Sequence, residues 1–224
     1  MNDRGATSDG SRLSRVAAQR LSLYLRCLTA WPADSHRISS SQIAEAVGVS
    51  DAQVRRDLAA LGHLGQRGIG YDPRELADAI REVLGIHRCW RVILVGVGNL
   101  ARALLRYQGF RAQGFNIVAL FDNHPAKIGE SVEGMRIRPL SELDTVVREE
   151  GIELAILTVP KEAAQNVADA LVRAGIRGIL NFAPVVLRLP PHVQLVTVDL
   201  AIQLEQLAFL VQHANGTAIT SLSE

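Results

Sequence analysis

The chain has 224 residues, 48% of them hydrophobic, and a formal net charge of +1. That balance excludes a global field directed at nucleic acid or a membrane, so any basic patch must be local; the apolar content suffices for one good core and a smaller one, in one or two domains. Cys27 and Cys89 match no metal or redox spacing, and no secretory leader or long apolar run is read, so a cytoplasmic protein with no bound metal and no membrane partner is expected.

Residues 1–12 are polar and without periodicity, which predicts a disordered tail. From there, Leu13, Val16, Ala17, Leu21, Tyr24, Leu28 and Trp31 form a helical stripe that Pro32 closes. The serines at 39–41 are N-cap candidates for a short second helix over Ile43 to Val47. Gly48 suits a left-handed turn, and Ser50 can cap a third helix from Asp51 to about Leu61. Val54, Leu58 and Leu61 then face inward, with Gln53, Arg55, Arg56 and Asp57 largely outward. Short helix, glycine-containing turn and capped helix is the helix-turn-helix pattern, whose second helix enters a major groove with its N-terminal half leading. The alternating glycines of Gly62 to Tyr71 read as a tight β-wing, in which backbone N–H groups and Arg67 reach a phosphate or the minor groove. Ser40, Gln53, Arg55, Arg56, Arg67 and Gly68 are the candidate DNA contacts. The competing reading is a three-helix bundle with a glycine-rich connector and a merely solvated arginine face. A linking helix over Pro73 to Gly85 brings the winged helix-turn-helix domain, residues 13–86, to its end.

A run of β-formers from Trp90 to Val95 then leads into Gly96-Val97-Gly98-Asn99-Leu100-Ala101 and a helical pattern. Such a turn recognises phosphate by its backbone. Gly96 permits the bend, Gly98 lacks the Cβ that would hold a pyrophosphate off, and Ala101 lets helix and strand pack closely, while free N–H groups at the helix start face the anion. A second strand, Asn116 to Phe121, ends at Asp122, about twenty residues on, where an acid meets a ribose hydroxyl. No arginine stands beside Asp122, which favours NAD(H) over NADP(H), although Lys127 is near. Met135 to Pro139 reads as a strand and Pro139 to Glu150 as a helix. Leu154 to Leu157 is a strand running into Thr158, Val159 and Pro160, with a helix over Glu162 to Ala174 behind it. Gly178 to Asn181 leads to Phe182, for which core packing and nicotinamide contact stay equally open. Gly96, Asp122, Thr158 and Asn181 all fall at carboxyl ends of strands, where open parallel sheets bind ligands.

Val193 to Val198 is a further strand, and the helix from Leu200 to about His213 is apolar nearly all round, so it must be buried, with a second copy of the chain as the expected place. The predicted architecture is an α/β Rossmann domain with a parallel sheet, residues 87–198, preceded by a mainly α winged-helix domain. A dimerisation helix, 199–214, and a frayed tail, 215–224, follow. A dehydrogenase needs a substrate domain or a placed acid/base beside the nicotinamide. No domain-sized segment remains for one, and His124, His192 and His213 have no catalytic partner in sequence. The nucleotide is therefore read as an effector rather than a hydride source. A small NAD(H)-dependent oxidoreductase and a CoA- or nucleotide-binding structural module are the rival readings.

Taken together, Val54-Arg55-Arg56-Asp57-Leu58, Arg67-Gly68-Ile69-Gly70-Tyr71, the glycine turn at 96–101, Leu157-Thr158-Val159-Pro160 and Asn181-Phe182-Ala183-Pro184-Val185 resemble, in order and spacing, the Rex family of redox-sensing transcriptional repressors. The resemblance runs from about Leu13 to Phe209. It implies a homodimer that binds operator DNA when NADH is scarce and releases it when NADH, rather than NAD⁺, occupies the Rossmann domain. It also implies a domain-swapped terminal helix and a switch drawn from Arg26, Tyr107 and Asp199. Ala101 and Arg56 depart from the family's commoner glycine and lysine.

Overall fold

The computed structural model describes residues 13–32, 36–62, 65–66 and 69–214. The tails expected at 1–12 and 215–224 lie outside the described residues, as do Arg67 and Gly68. The chain forms two compact units, divided between Arg88 and Cys89.

The N-terminal unit consists of α1 (Arg15–Thr29), α2 (Ser40–Val47), α3 (Asp51–Ala59), β1 (Gly65–Gln66), β2 (Gly70–Tyr71) and α4 (Pro73–Val83). Its boundaries are set by local chemistry. Ser39 caps α2 by accepting from the Gln42 N–H, while the Gln42 side chain accepts from the Ser39 N–H, a reciprocal capping box. Gly48 ends that helix in a left-handed conformation, and the Ser50 hydroxyl caps α3 by accepting from the Gln53 N–H. At α4, Asp72 accepts from the N–H groups of Arg74 and Glu75, with Pro73 in the first helical turn. Leu21, Tyr24, Leu25 and Leu28 of α1 pack with Ile38, Ile43, Val54, Leu58, Leu76 and Ile80 into one core. Val16, expected on the inward stripe, is instead exposed, and Leu25, not foreseen, is buried. β1 and β2 pair antiparallel, and Ile38 bridges to Tyr71, which gives the unit its wing.

The C-terminal unit is a seven-stranded sheet in the order β5 (Ser131–Val132), β6 (Met135–Pro139), β4 (Phe115–Asp122), β3 (Trp90–Val95), β7 (Leu154–Leu157), β8 (Gly178–Asn181), β9 (Gln194–Thr197). All neighbours run parallel except β5 on β6. Along β3, Ile93 and Val95 join the core under α7 (Leu143–Glu150) and α8 (Lys161–Ala174). Val92 and Leu94 face the opposite way, toward α5 (Asn99–Arg106) and α6 (Gln108–Ala112), the period-two signature of a strand buried on both faces. The segment after Pro139 starts as a 3₁₀ turn, Leu140–Glu142, before α7 begins, and the phosphate-side helix breaks at Tyr107 into α5 and α6 rather than stopping.

The last element is α9 (Leu200–Ala214). Sequence periodicity requires a buried helix here. Within the single chain, however, Leu200, Ile202, Leu204, Leu207, Phe209, Leu210 and Val211 are 47–68% exposed.

Candidate functional site

The chain order of the sheet reverses at β3, which lies between β4 and β7. That is the topological switch point, where the two βα connections diverge and leave a crevice. Gly96 ends β3 with φ +95°, a conformation L side chains rarely adopt, and a Cβ there would stand 2.8 Å from the Thr158 carbonyl and 2.6 Å from Val159 Cγ1. Glycine is thus required at Gly96 by backbone and by packing together. Gly98 differs. It caps α5 without a side-chain hydrogen bond, and a Cβ on it would meet nothing within 4 Å. Open space therefore lies above Gly98, beside the first turn of α5, whose N–H groups have no intrahelical partner.

Thr158 closes the floor of the crevice. Its N–H donates to Val95 O at 2.9 Å, and its hydroxyl donates to Gly96 O at 2.8 Å. Around this floor a cavity of about 580 Å³ is lined by Gly96, Gly98, Asp122, His124, Lys127, Leu140, Thr158, Val159, Pro160 and Val167. Val97 and Ala101 are buried, so any contact they make is through the main chain, whereas Asn99 and Leu100 are exposed at the helix start. The Val97 N–H is already engaged, donating to Asp122 Oδ2 at 2.8 Å.

Asp122 is itself nearly buried. Its carboxylate also accepts from the His124 N–H at 2.8 Å and from Lys127 Nζ at 2.9 Å. Burial would push its pKa up, but the His124 N–H, Lys127 and the Val97 N–H together hold it below the ordinary carboxylate range. The acid thus ties the end of β4 to the glycine turn. Lys127, noted in the sequence for its proximity alone, is its ion-pair partner. Asn181 is fully buried, and its amide is committed to its own loop, donating to Ala183 O and Val185 O and accepting from the Ala183 N–H. Its side chain shapes the end of β8. Phe182 packs, half-buried, against the core on the α5 side of the sheet.

In the N-terminal unit one expectation is overturned. The sequence pattern puts Asp57 largely on an outer face of α3, yet it is 5% exposed. It accepts from Arg20 Nε at 2.6 Å, Arg20 Nη2 at 2.7 Å, the Tyr24 hydroxyl at 2.9 Å and Gln53 Nε2 at 2.8 Å. A carboxylate with that many donors survives burial. Burial pulls its pKa up, but hydrogen bonds from Arg20, Tyr24 and Gln53 outweigh it and hold it below the ordinary carboxylate value. The Tyr24 phenol is pushed up to about 12, by burial first and then by its bond to Asp57. Sequence reasoning missed Arg20 and Tyr24. The available signal was their spacing of four, which puts both on one face of α1.

With the acid turned inward, the outer surface of α3 carries Arg55 and Arg56, both exposed. Arg55 pairs with Asp51 at 2.7 Å, and Arg56 Nη1 donates to Gln53 Oε1 at 3.1 Å. Ser40 is half-buried at the start of α2. Of the residues the resemblance gave to a switch, Arg26 is exposed on α1 and Tyr107 is exposed between α5 and α6. Asp199 caps α9 by accepting from the Ala201 N–H at 2.9 Å. Among the described residues no group of three or more His, Cys, Asp or Glu is placed to hold a metal, and no helix is long and apolar enough to cross a membrane.

The fold and the crevice define a class, a DNA-binding helix-turn-helix unit joined to a Rossmann-type nucleotide domain. Comparison with known proteins agrees with it. A family model described as "Putative DNA-binding protein N-terminus" matches residues 12–59, and one described as "CoA binding domain" matches residues 87–185. A redox-sensing transcriptional repressor Rex from Desulfitobacterium hafniense is 49% identical over 197 residues, covering 86% of this chain and 92% of that one. The crystal structure of RSP, a Rex-family repressor, in complex with β-NAD⁺ and operator DNA matches with a TM-score of 0.85 at 32% identity, covering 94% of this chain and 99% of RSP. Its complex with β-NADH matches with a TM-score of 0.81 at 32% identity, over 91% and 96%. The chain belongs to the Rex family of redox-sensing transcriptional repressors. The expected winged-helix-like and Rossmann architecture is borne out, and the proteins it matches along its length are repressors rather than enzymes.

Proposed function

We propose that this chain is a transcriptional repressor that binds operator DNA through its N-terminal unit and is released when NADH occupies the β3–β7 crevice, so that it responds to the NADH/NAD⁺ ratio. One observation carries the reading: in a chain of this family, the turn from Gly96 to Gly98 opens α5 at the switch point, over a cavity of about 580 Å³. The residues present fit a dinucleotide. The main-chain N–H groups of Asn99, Leu100 and Ala101, in the first turn of α5, would meet a pyrophosphate lying over Gly98, and Asp122, held ionised, stands at the end of β4 for a ribose hydroxyl. Gly96, Val97, Thr158, Val159 and Pro160 shape the floor, with Asn181 and Phe182 at the end of β8. NADH and NAD⁺ differ in nicotinamide charge and planarity, so discrimination belongs near that ring rather than at Asp122. The nucleotide acts as an effector and is not turned over.

On the DNA side, Ser40, Gln53, Arg55, Arg56, Arg67 and Gly68 are assigned to the duplex: Ser40 and Gln53 stand in the first turns of α2 and α3, with Arg55 and Arg56 further along the outer surface of α3, the second helix of the helix-turn-helix. The functional division is a tail (1–12), a DNA-binding domain (13–86), a nucleotide domain (87–198), a dimerisation helix (199–214) and a second tail (215–224), in a cytoplasmic homodimer. Two observations in the C-terminal unit support the dimer. α9 leaves its apolar side chains uncovered. The sheet face formed by Val92, Phe115, Ile117, Ile156, Leu180 and Val196 borders an apolar cavity of about 430 Å³. An α9 exchanged between two copies supplies a helix with somewhere to bury itself. Arg26, Tyr107 and Asp199 are assigned to the coupling between nucleotide and DNA.

The test is a gel-shift titration of a palindromic duplex selected by the purified protein, at several NADH/NAD⁺ ratios. Affinity is expected to fall as the reduced fraction rises; unchanged affinity across the series rejects the reading. The match to a CoA-binding family model favours one alternative, a CoA-responsive domain. Calorimetry with NADH, NADPH, ATP and CoA separates the two, with selective binding of NADH expected.

A further inference from the structure

We propose that Gln53 is a positioning residue for Arg56: anchored by Asp57, its amide is turned so that its carbonyl oxygen faces outward and holds the Arg56 guanidinium in the orientation that meets DNA. This deepens the assignment of α3 to operator recognition and rests on that reading.

The argument begins at the buried carboxylate. Asp57 Oδ1 accepts from Arg20 Nη2 at 2.7 Å and from Gln53 Nε2 at 2.8 Å, while Oδ2 accepts from Arg20 Nε at 2.6 Å and from the Tyr24 hydroxyl at 2.9 Å. Each oxygen thus has two donors, which fills the acceptor capacity of a carboxylate. An ionised carboxylate offers no donor, so the Gln53 amide has one orientation available. Its NH₂ must point at Asp57, because the reverse would set two acceptor oxygens against each other in a site that is 5% exposed. The Gln53 carbonyl is left on the outward side. There it accepts from Arg56 Nη1 at 3.1 Å, three residues along the same helix.

Two consequences follow for recognition. Glutamine reads adenine by offering its NH₂ and its carbonyl together. Gln53 has one N–H bound to Asp57 and its carbonyl bound to Arg56, so turning its amide edge to adenine would compete with both contacts. Arg56, with one of its five N–H groups fixed, has lost much of the freedom of a long exposed side chain before DNA arrives. Ordering such a side chain on binding is otherwise an entropic cost of association. The route from α1 to the duplex therefore runs Arg20 and Tyr24 to Asp57, Asp57 to Gln53, and Gln53 to Arg56.

The experiment is a double-mutant cycle on the full chain, using a duplex selected by the wild-type protein from a randomised pool and a scrambled duplex of the same length. Gln53→Ala should lower affinity for the selected duplex by about threefold to tenfold, the size of the ordering cost of one long side chain, and by less than about twofold when Arg56 is already alanine. Single-base substitution of the duplex should show Gln53→Ala altering preference at the same base pairs as Arg56→Ala, or at none if Arg56 rests on phosphate. Additive losses, or a preference change at an adenine that Arg56→Ala leaves alone, would overturn the proposal and make Gln53 a direct reader. Gln53→Ala, half-exposed and outside the core, should keep the wild-type thermal unfolding midpoint to within a few degrees. Asp57→Asn, if it folds, should reproduce the Gln53→Ala loss by freeing the amide to turn. A wild-type chain that selects no duplex at all would instead overturn the reading on which the proposal rests.

Discussion

At the residue scale, glycine and buried charge do most of the specifying. Gly96 and Gly98 look alike in the sequence but are required for different reasons: the first by its φ of +95° and its contact with Thr158, the second by open space. Gly98→Val should therefore leave the fold intact and fill the place a pyrophosphate would take, giving a protein that still binds its duplex but no longer responds to NADH. Release of Gly98→Val by NADH would refute the crevice assignment. The Asp57 cluster predicts a pH dependence with two limbs. Asp57 has a lowered pKa, so the stability it contributes is present above the unfolded carboxylate value of about 4 and is lost as pH falls through the lowered value. Tyr24 has a raised one, so its contribution is complete below the unfolded value of about 10, and disappears as pH rises toward about 12. Tyr24→Phe should lower stability by about 1 kcal/mol at neutral pH and flatten the alkaline limb of the unfolding midpoint against pH, leaving the acid limb in place.

At the scale of the element, α9 is the outlier. Its apolar positions run round the whole circumference, and the chain leaves seven large side chains uncovered. Burying a Leu or Phe side chain contributes about 1.5–3 kcal/mol, so covering this helix is worth far more than a typical surface contact. Leu207→Glu should therefore shift the protein from dimer to monomer in sedimentation velocity at micromolar concentration, with little change in the helicity of the remaining elements. A wild-type monomer, or a Leu207→Glu dimer as tight as wild type, would remove the exchanged helix from the account. The short helices of the N-terminal unit behave in the opposite way. α2 and α3 are eight and nine residues long, too short to persist alone, and they depend on capping at Ser39 and Ser50 and on packing of Ile43, Val54 and Leu58.

At the scale of the whole molecule, the two units must exchange free energy for a redox signal to reach DNA. An effector shifts an equilibrium only through differential affinity for its two states, and a hundredfold preference corresponds to about 2.7 kcal/mol of coupling, within the usual range. Asp199 caps α9 at the junction with β9. Asp199→Ala should leave NADH affinity and duplex affinity each within about threefold while reducing the effect of one on the other, measured as the change in duplex affinity at saturating NADH; an undiminished effect would return Asp199 to a capping role alone. The sequence by itself determined what is local or periodic. The caps at Ser39 and Ser50, the left-handed turn at Gly48, the alternation along β3 and the glycine turn into α5 all follow from neighbours within a few positions, and the combination of motifs gave the family. The tertiary structure decided which polar groups turn inward. Asp57 looked solvated because its main partner, Arg20, lies 37 residues away, and the tie from Asp122 to the glycine turn was hidden because the Val97 N–H that it binds is 25 residues away. Apolar periodicity marks the face of a helix that must be covered, but the partner of a buried charge depends on which distant segments the fold brings together. For the same reason the pattern of α9 shows that it needs burial, while the single folded chain leaves it bare.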